Sequence, residues 1–210
     1  MTEINTAFAP ESTGAFAPWI KHYPGSGDTG AVVVFPHAGG AAVAYRDLAT
    51  TLSDNGIDTY VVQYPRRADR LAHPAHPTVE QLAADLFAAG DWAGVGPLRL
   101  VGHCMGAVVA FEFARVAEQS GATVHSLWAS AGQAPCDVVD APPLPTGPRE
   151  MLAEMVDLGG TDPRLLADVD FVEMLLMAVG ADYEALNRYV GGGRIAADIH
   201  ALGGREDHRI

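Results

Sequence analysis

Long apolar runs are missing from this sequence. None approaches the roughly 18 residues that a membrane-spanning helix needs, so no membrane partner is expected. Cysteine is scarce: Cys104 and Cys136 are too few for a disulfide framework and too far apart for zinc-ligand spacing. Basic charge is short as well, with 13 Lys and Arg against 26 Asp and Glu and a formal net charge of −13. Such a chain has no global basic field to draw in phosphates, which argues against nucleic acid as a partner. Charged residues make up only 19% and hydrophobic residues 49%, the balance of a globular protein and not of a disordered one. The opening stretch MTEINTAFAPESTGAF lacks a basic segment followed by an apolar one, so no secretory signal is legible. Internal repeats and low-complexity tracts are also lacking. The expectation is a cytoplasmic monomer of one domain, 1–210, with neither metal nor cofactor and enough chain to bury a substantial core.

What is present is an alternation of strands and helices. Ala31–Phe35 (AVVVF) is a β-branched apolar run of the kind that suits a strand buried on both faces. A helical stretch follows from about Ala41 to Leu52, then a strand over Ile57–Tyr64. Thr78 and Gln81 fit a capping box ahead of Val79, Leu82, Ala83, Leu86 and Phe87 at helical spacing. Leu98–Val101 reads as a strand, Met105–Glu118 as a helix with an apolar first half, and Val124–Ala131 as a further strand. This order predicts an α/β fold, a mostly parallel sheet flanked by helices. The alternation then breaks. Ala134–Pro148 contains five prolines and reads as irregular chain. Helical segments are expected near Arg149–Leu158, Pro163–Leu176 and Ala181–Val190, and strand character resumes at Ile199–Gly204. The helical stretch, about 136–192, is expected to form a lid over a substrate site.

The most informative residues are Gly102-His103-Cys104-Met105-Gly106, between an apolar strand and an apolar helix. A nucleophile elbow turns sharply from strand into helix, holds its central residue at strained dihedrals, and needs tiny residues two positions either side so that the backbones can pass. In that setting the Cys104 sulfur sits at a helix N-terminus, where the dipole and unpaired amides favour a thiolate. The Met105 amide would face a developing oxyanion.

These residues resemble the GHSMG signature of the type II thioesterases that serve polyketide and nonribosomal peptide synthetases, with cysteine where serine is usual. Phe35-Pro36-His37-Ala38-Gly39-Gly40 is similar to that family's FPHAGG segment, which implies Ala38 as the second oxyanion-hole amide. Gln63–Arg70 resembles its YPGR-x-x-R run, with Arg66 replacing the usual glycine, and Ala181–Tyr189 (ADYEALNRY) resembles part of its lid. Together these imply an α/β-hydrolase fold. Leu202–Asp207 resembles the family's post-strand turn and implies Asp207 as the triad acid, with Glu206 as the alternative. Its role would be to orient an imidazole. The family's histidine comes a few tens of residues after the acid, so the catalytic histidine, together with the last strand and helix, is expected beyond Ile210. His37, His103, His200 and His208 are not expected to serve.

The resemblance implies release of acyl or peptidyl groups from the phosphopantetheine arm of a carrier protein through an acyl-Cys104 intermediate. Cysteine adds acyltransferase character, since thioester-to-thioester exchange is nearly isoenergetic. Two histories lead to a thiol here, a natural cysteine or a substitution made to trap an acyl-enzyme. Carrier domains are usually acidic, and Arg66, Arg67 and Arg70 are the expected basic contact. Two other readings stand beside this one. A small-lactone hydrolase of the dienelactone type also uses a cysteine elbow, and a non-catalytic carrier-binding module would need no histidine.

Overall fold

The computed structural model describes residues 16–27, 30–159, 164–205 and 207. In chain order its elements are β1 (Ile20–Tyr23), β2 (Ala31–Phe35), α1 (Arg46–Asp54), β3 (Asp58–Val62), α2 (Val79–Ala88), α3 (Trp92–Val95), β4 (Leu98–His103), α4 (Met105–Gln119) and β5 (Val124–Ser130). They continue with α5 (Pro135–Asp140), α6 (Pro148–Leu158), α7 (Val169–Asn187) and β6 (Asp198–Leu202). The strands make one sheet in the order β1-β3-β2-β4-β5-β6, parallel except for β1, which pairs antiparallel with β3. This is the mostly parallel, helix-flanked sheet of an α/β hydrolase.

Strand β2 lies at the centre, and its β-branched run is explained by burial on both faces. Ala31, Val33 and Phe35 face the larger core, where α2 and α4 pack and where Trp92, Phe113 and Leu100 are fully enclosed. Val32 and Val34 face the opposite side with Ala42, Ala49 and Val61, beneath α1. The first ten residues of α4, Met105 to Ala114, are all buried, which accounts for a helix with no polar stripe in its first half. Thr78 caps α2 as the sequence suggests, its Oγ1 accepting from the Gln81 amide at 3.2 Å, and Asp168, not anticipated, caps α7, its Oδ1 accepting from the Phe171 amide at 3.1 Å.

Three expectations need correcting. Strand β1 (IKHY) was not anticipated, because four residues are too few to show a period. It is held at the sheet edge by side chains, with Lys21 bonded to Asp69 and His22 Nε2 lying 2.7 Å from Asp58 Oδ1. The proline-rich 134–148 stretch is not wholly irregular, since Pro135 occupies the first position of α5, where a missing amide costs nothing. The two expected helices at 163–176 and 181–190 are instead a short 3-10 turn at Leu165–Ala167 and one continuous helix, α7. Gly180 lies inside α7 against Met151, and packing of that face outweighs the glycine's low helix propensity. Among the described residues no helix is long and apolar enough to cross a membrane.

Backbones crowd closely where β4 runs into α4. A Cβ on Gly102 would lie 2.4 Å from the Gly106 carbonyl oxygen, and one on Gly106 would lie 2.0 Å from that of Phe35. Backbone cannot yield as a side chain does. Gly106→Ala is therefore expected to destabilise the fold by at least about 3 kcal/mol, read as a lower midpoint in urea unfolding, whereas Gly121→Ala, with open space around it, should cost only the strain of its positive φ.

Candidate active site

Cys104 occupies the turn between β4 and α4 at φ 53° and ψ −121°, outside the ordinary regions for a residue with a side chain. Such strain costs about 1–3 kcal/mol and persists only where the surroundings over-determine it. Here the Cys104 amide donates to the Ser130 carbonyl at 2.8 Å, and its carbonyl accepts from the Ala107 amide at 2.9 Å. Gly132 adds a close approach, since a Cβ there would lie 2.7 Å from that of Ala107. The strand-to-helix context read from the sequence is thus realised at atomic contact, with the half-buried Cys104 as the N-cap of α4.

The loop after β2 runs alongside. Three of its amides are already engaged: His37 donates to Tyr45 Oη at 3.1 Å, Gly39 to Asp182 Oδ2 at 2.7 Å, and Gly40 to the His37 carbonyl at 2.9 Å. Among the described residues the Ala38 and Met105 amides donate to nothing. Tyr45 Oη also lies 2.8 Å from His37 Nδ1. Burial, with a smaller contribution from the nearby Cys104 charge, pushes the Tyr45 hydroxyl up to about 12.

His103 lies edge-on to His37, ring centroids 5.9 Å apart, and its Nδ1 is 3.1 Å from Ser130 Oγ. Burial is the main cause that pulls both imidazoles below their ordinary range. For His37 the neighbouring His103 and Arg67 add to it; for His103 the Asp207 carboxylate and the Ser130 bond oppose it. Asp207 therefore stands within electrostatic reach of the elbow, in a turn where its amide donates to the Gly204 carbonyl at 3.2 Å. Glu206 and His208 lie outside the described residues. His200, expected to be structural, stacks on Trp128 at 4.2 Å on the exposed strand β6.

The arginine loop departs from expectation. Arg67 is 5% exposed and Arg70 3% exposed, so neither belongs to a surface patch for an acidic carrier. Arg67 Nη2 donates to Asp182 Oδ1 at 2.7 Å, its Nη1 to the Gly40 carbonyl at 3.3 Å and its Nε to the Pro65 carbonyl at 3.0 Å. Arg70 lies 3.7 Å over the Trp19 ring and donates to the Gln63 carbonyl at 2.8 Å. Burial lowers its guanidinium to about 10, still charged at neutral pH. Arg66, at φ 67°, alone retains partial exposure, in a cleft of about 580 Å³ shared with His76, Glu184 and Arg188. A second cleft, about 560 Å³, lies between α4, α5 and β6. Neither is lined by Cys104. Among the described residues no cluster of three or more His, Cys, Asp or Glu could hold a metal.

A strained cysteine thus sits between two glycines that leave no room for a Cβ, beside a loop with an undonated amide. A family model for the thioesterase domain matches residues 31–209. The chain belongs to the thioesterase domain family. It is 61% identical over 198 residues to phenyloxazoline synthase MbtB of Mycobacterium tuberculosis, matching 93% of this chain but spanning only 14% of that protein's length. Thioesterase PikA5 of Streptomyces venezuelae is 35% identical over 194 residues, 90% of this chain and 69% of the relative. The solved type II thioesterase BorB from the borrelidin biosynthetic cluster superposes with a TM-score of 0.74 at 35% identity, covering 90% of this chain and 78% of its own. The type II thioesterase YbtT of the yersiniabactin pathway gives 0.73 at 30% identity, covering 89% and 77%. This thioesterase domain therefore shares its fold with solved type II thioesterases.

Two outcomes follow for this domain. Arg67→Ala leaves Asp182 buried without its counter-charge and is expected to cost about 3–5 kcal/mol, whereas Arg66→Ala should stay within about 0.5 kcal/mol, both read by chemical denaturation. Lowered histidines also give stability a pH dependence. From about pH 6.5 downward the unfolded chain takes up protons at His37, His76 and His103, while the folded chain, with all three lowered, does not until lower pH. Stability therefore falls as pH falls through that window. The slope should flatten in His37→Gln/His103→Gln, checked by urea midpoints at pH 7.5 and 5.5.

Proposed function

We propose that this thioesterase domain releases acyl or peptidyl groups from the phosphopantetheine arm of a carrier protein through a covalent acyl-Cys104 intermediate. In this reading the Cys104 thiolate attacks the thioester carbonyl, and the carbonyl oxygen takes up the negative charge. The Ala38 and Met105 amides hold that oxyanion. The intermediate then collapses, forming the Cys104 thioester and expelling the pantetheine thiolate. Water then attacks the acyl-enzyme, breaking the Cys104 thioester and freeing the acid and the thiol, and Asp207 is the acid that would orient a general-base imidazole for this step. The helical segment between β5 and β6 acts as the lid of the same domain.

One observation carries the reading: the only strained cysteine among the described residues caps α4, and the neighbouring loop has Ala38 as the amide not already donating. Relatives named as thioesterases, and solved type II thioesterases from polyketide and nonribosomal peptide pathways, support a carrier-bound substrate. The likeness to part of a phenyloxazoline synthase points the same way, and away from a free small lactone. The carrier contact is reassigned from the arginine trio to Arg66, with Arg188 beside it in the cleft.

The test is intact mass after incubation with an acyl-loaded carrier or acyl-pantetheine. An adduct on the native domain that is lost in Cys104→Ala is expected. A native domain that takes up no acyl group and releases none would overturn the proposal. Reversibility gives a second expectation. Excess free pantetheine should strip the acyl group from Cys104, since the exchange is nearly isoenergetic, but not from Cys104→Ser, where the oxygen ester lies lower in energy. Equal stripping from both would mean that the adduct is not at the elbow.

A further inference from the structure

Asp182 has no place in the proposal above, yet it is the most heavily engaged acid near the elbow. It is 7% exposed and lies on α7. Its Oδ2 accepts from the Gly39 amide at 2.7 Å and its Oδ1 from Arg67 Nη2 at 2.7 Å. Arg67 in turn reaches the Gly40 carbonyl at 3.3 Å, and the Gln63 Oε1 atom, 1% exposed as a residue, accepts from the Ala42 amide at 3.0 Å. Residues 39, 40 and 42 are thus pinned by three buried side chains that all come from elsewhere in the chain. The same helix presses on the loop sterically, since a Cβ on Gly39 would lie 2.5 Å from Val179 Cγ2 and 3.2 Å from Leu175 Cδ1.

Stability alone does not call for this arrangement. Two opposite charges buried together roughly recover their desolvation cost, and apolar side chains of similar volume often do as well. What a charged, two-point acceptor adds is direction. Once the Gly39 amide is bound to Asp182, the peptide plane between Ala38 and Gly39 is fixed, and with it the backbone on which the Ala38 amide sits. We propose that Asp182 is the positioning residue of the oxyanion hole, fixing the 36–40 loop so that the Ala38 amide faces the carbonyl at Cys104. It thereby makes oxyanion binding depend on the seating of α7. This rests on the reading of Cys104 as an acylated nucleophile.

Two reactions of the same sulfur separate positioning from general structure. Acyl transfer from acyl-pantetheine passes through an oxyanion, whereas alkylation by iodoacetamide displaces iodide at carbon and forms none. In the full chain carrying Cys136→Ser, Asp182→Asn keeps the shape and one acceptor but loses the charge. Its acylation rate is expected to fall at least about 10-fold, below the 10²–10³ cost of deleting an oxyanion donor outright, while alkylation of Cys104 changes less than about twofold and Arg67→Lys restores less than Asp182→Glu. Unchanged acylation, or acylation and alkylation falling together, would overturn the inference while leaving the acyl-enzyme proposal standing. Failure of the unaltered domain to acylate at all would overturn both. If Asp182→Asn does not fold, amide exchange of the native protein decides: protection of the 36–40 peptide matching that of α7 supports the coupling, and rapid exchange of the loop beside a protected α7 overturns it.

Discussion

The turn at Cys104 exists because two stretches of backbone pass each other with no room for a side chain between them. A Cβ on Gly106 would stand 2.0 and 2.6 Å from the carbonyl oxygens of Phe35 and Pro36. Those carbonyls begin the loop that carries Ala38. One packing contact therefore does two things. It forces the sharp entry into α4 that strains Cys104, and it sets the distance between the cysteine and the neighbouring amides. The parallel pairing of β2 with β4, Phe35 opposite Gly102, holds both elements in register while this happens. Nothing else in the sheet constrains the site as directly.

Charge is distributed in a way that the net value of −13 does not suggest. Two arginines of the loop after β3 are turned into the protein, one against Asp182 and one over Trp19. Their positive charge stabilises backbone carbonyls and a buried carboxylate and contributes little to the surface field, where screening would have weakened it. An acidic carrier would then meet a surface that is acidic overall, with Arg66 and Arg188 as local relief. If the proposed partner is such a carrier, shape and the reach of the pantetheine arm would carry more of that encounter than long-range attraction does.

The elbow was legible in the sequence because its requirement is local: five residues, a strand before them and a helix after, each with its own pattern. The central strands were legible for the same reason, burial on both faces leaving an unbroken β-branched run. Asp182 was not. Its partners are 115 and 143 residues away, and an aspartate on a helix reads as a solvated one until the tertiary contact is seen. Arg67 and Arg70 were misread by the same logic, since clustered arginines in a loop are ordinarily exposed. Strand β1 escaped because four residues carry too little pattern, and α7 was divided because a glycine in mid-helix looks like a break when its packing partner, Met151, is not in view.

The electrostatics around Cys104 have a consequence for how a thiol nucleophile would work there. The two imidazoles beside the elbow are kept neutral by burial, and the ring nitrogens that could face an acid are taken by Tyr45 and Ser130. The fold itself adds a favourable field: the amides at the start of α4, whose aligned dipoles point their positive end at the N-cap, and the Ala38 amide across from them. A field built from backbone does not change with pH. In the proposed mechanism it would serve the attacking thiolate first and the oxyanion next, as charge moves from sulfur to oxygen over a short distance within the same cradle.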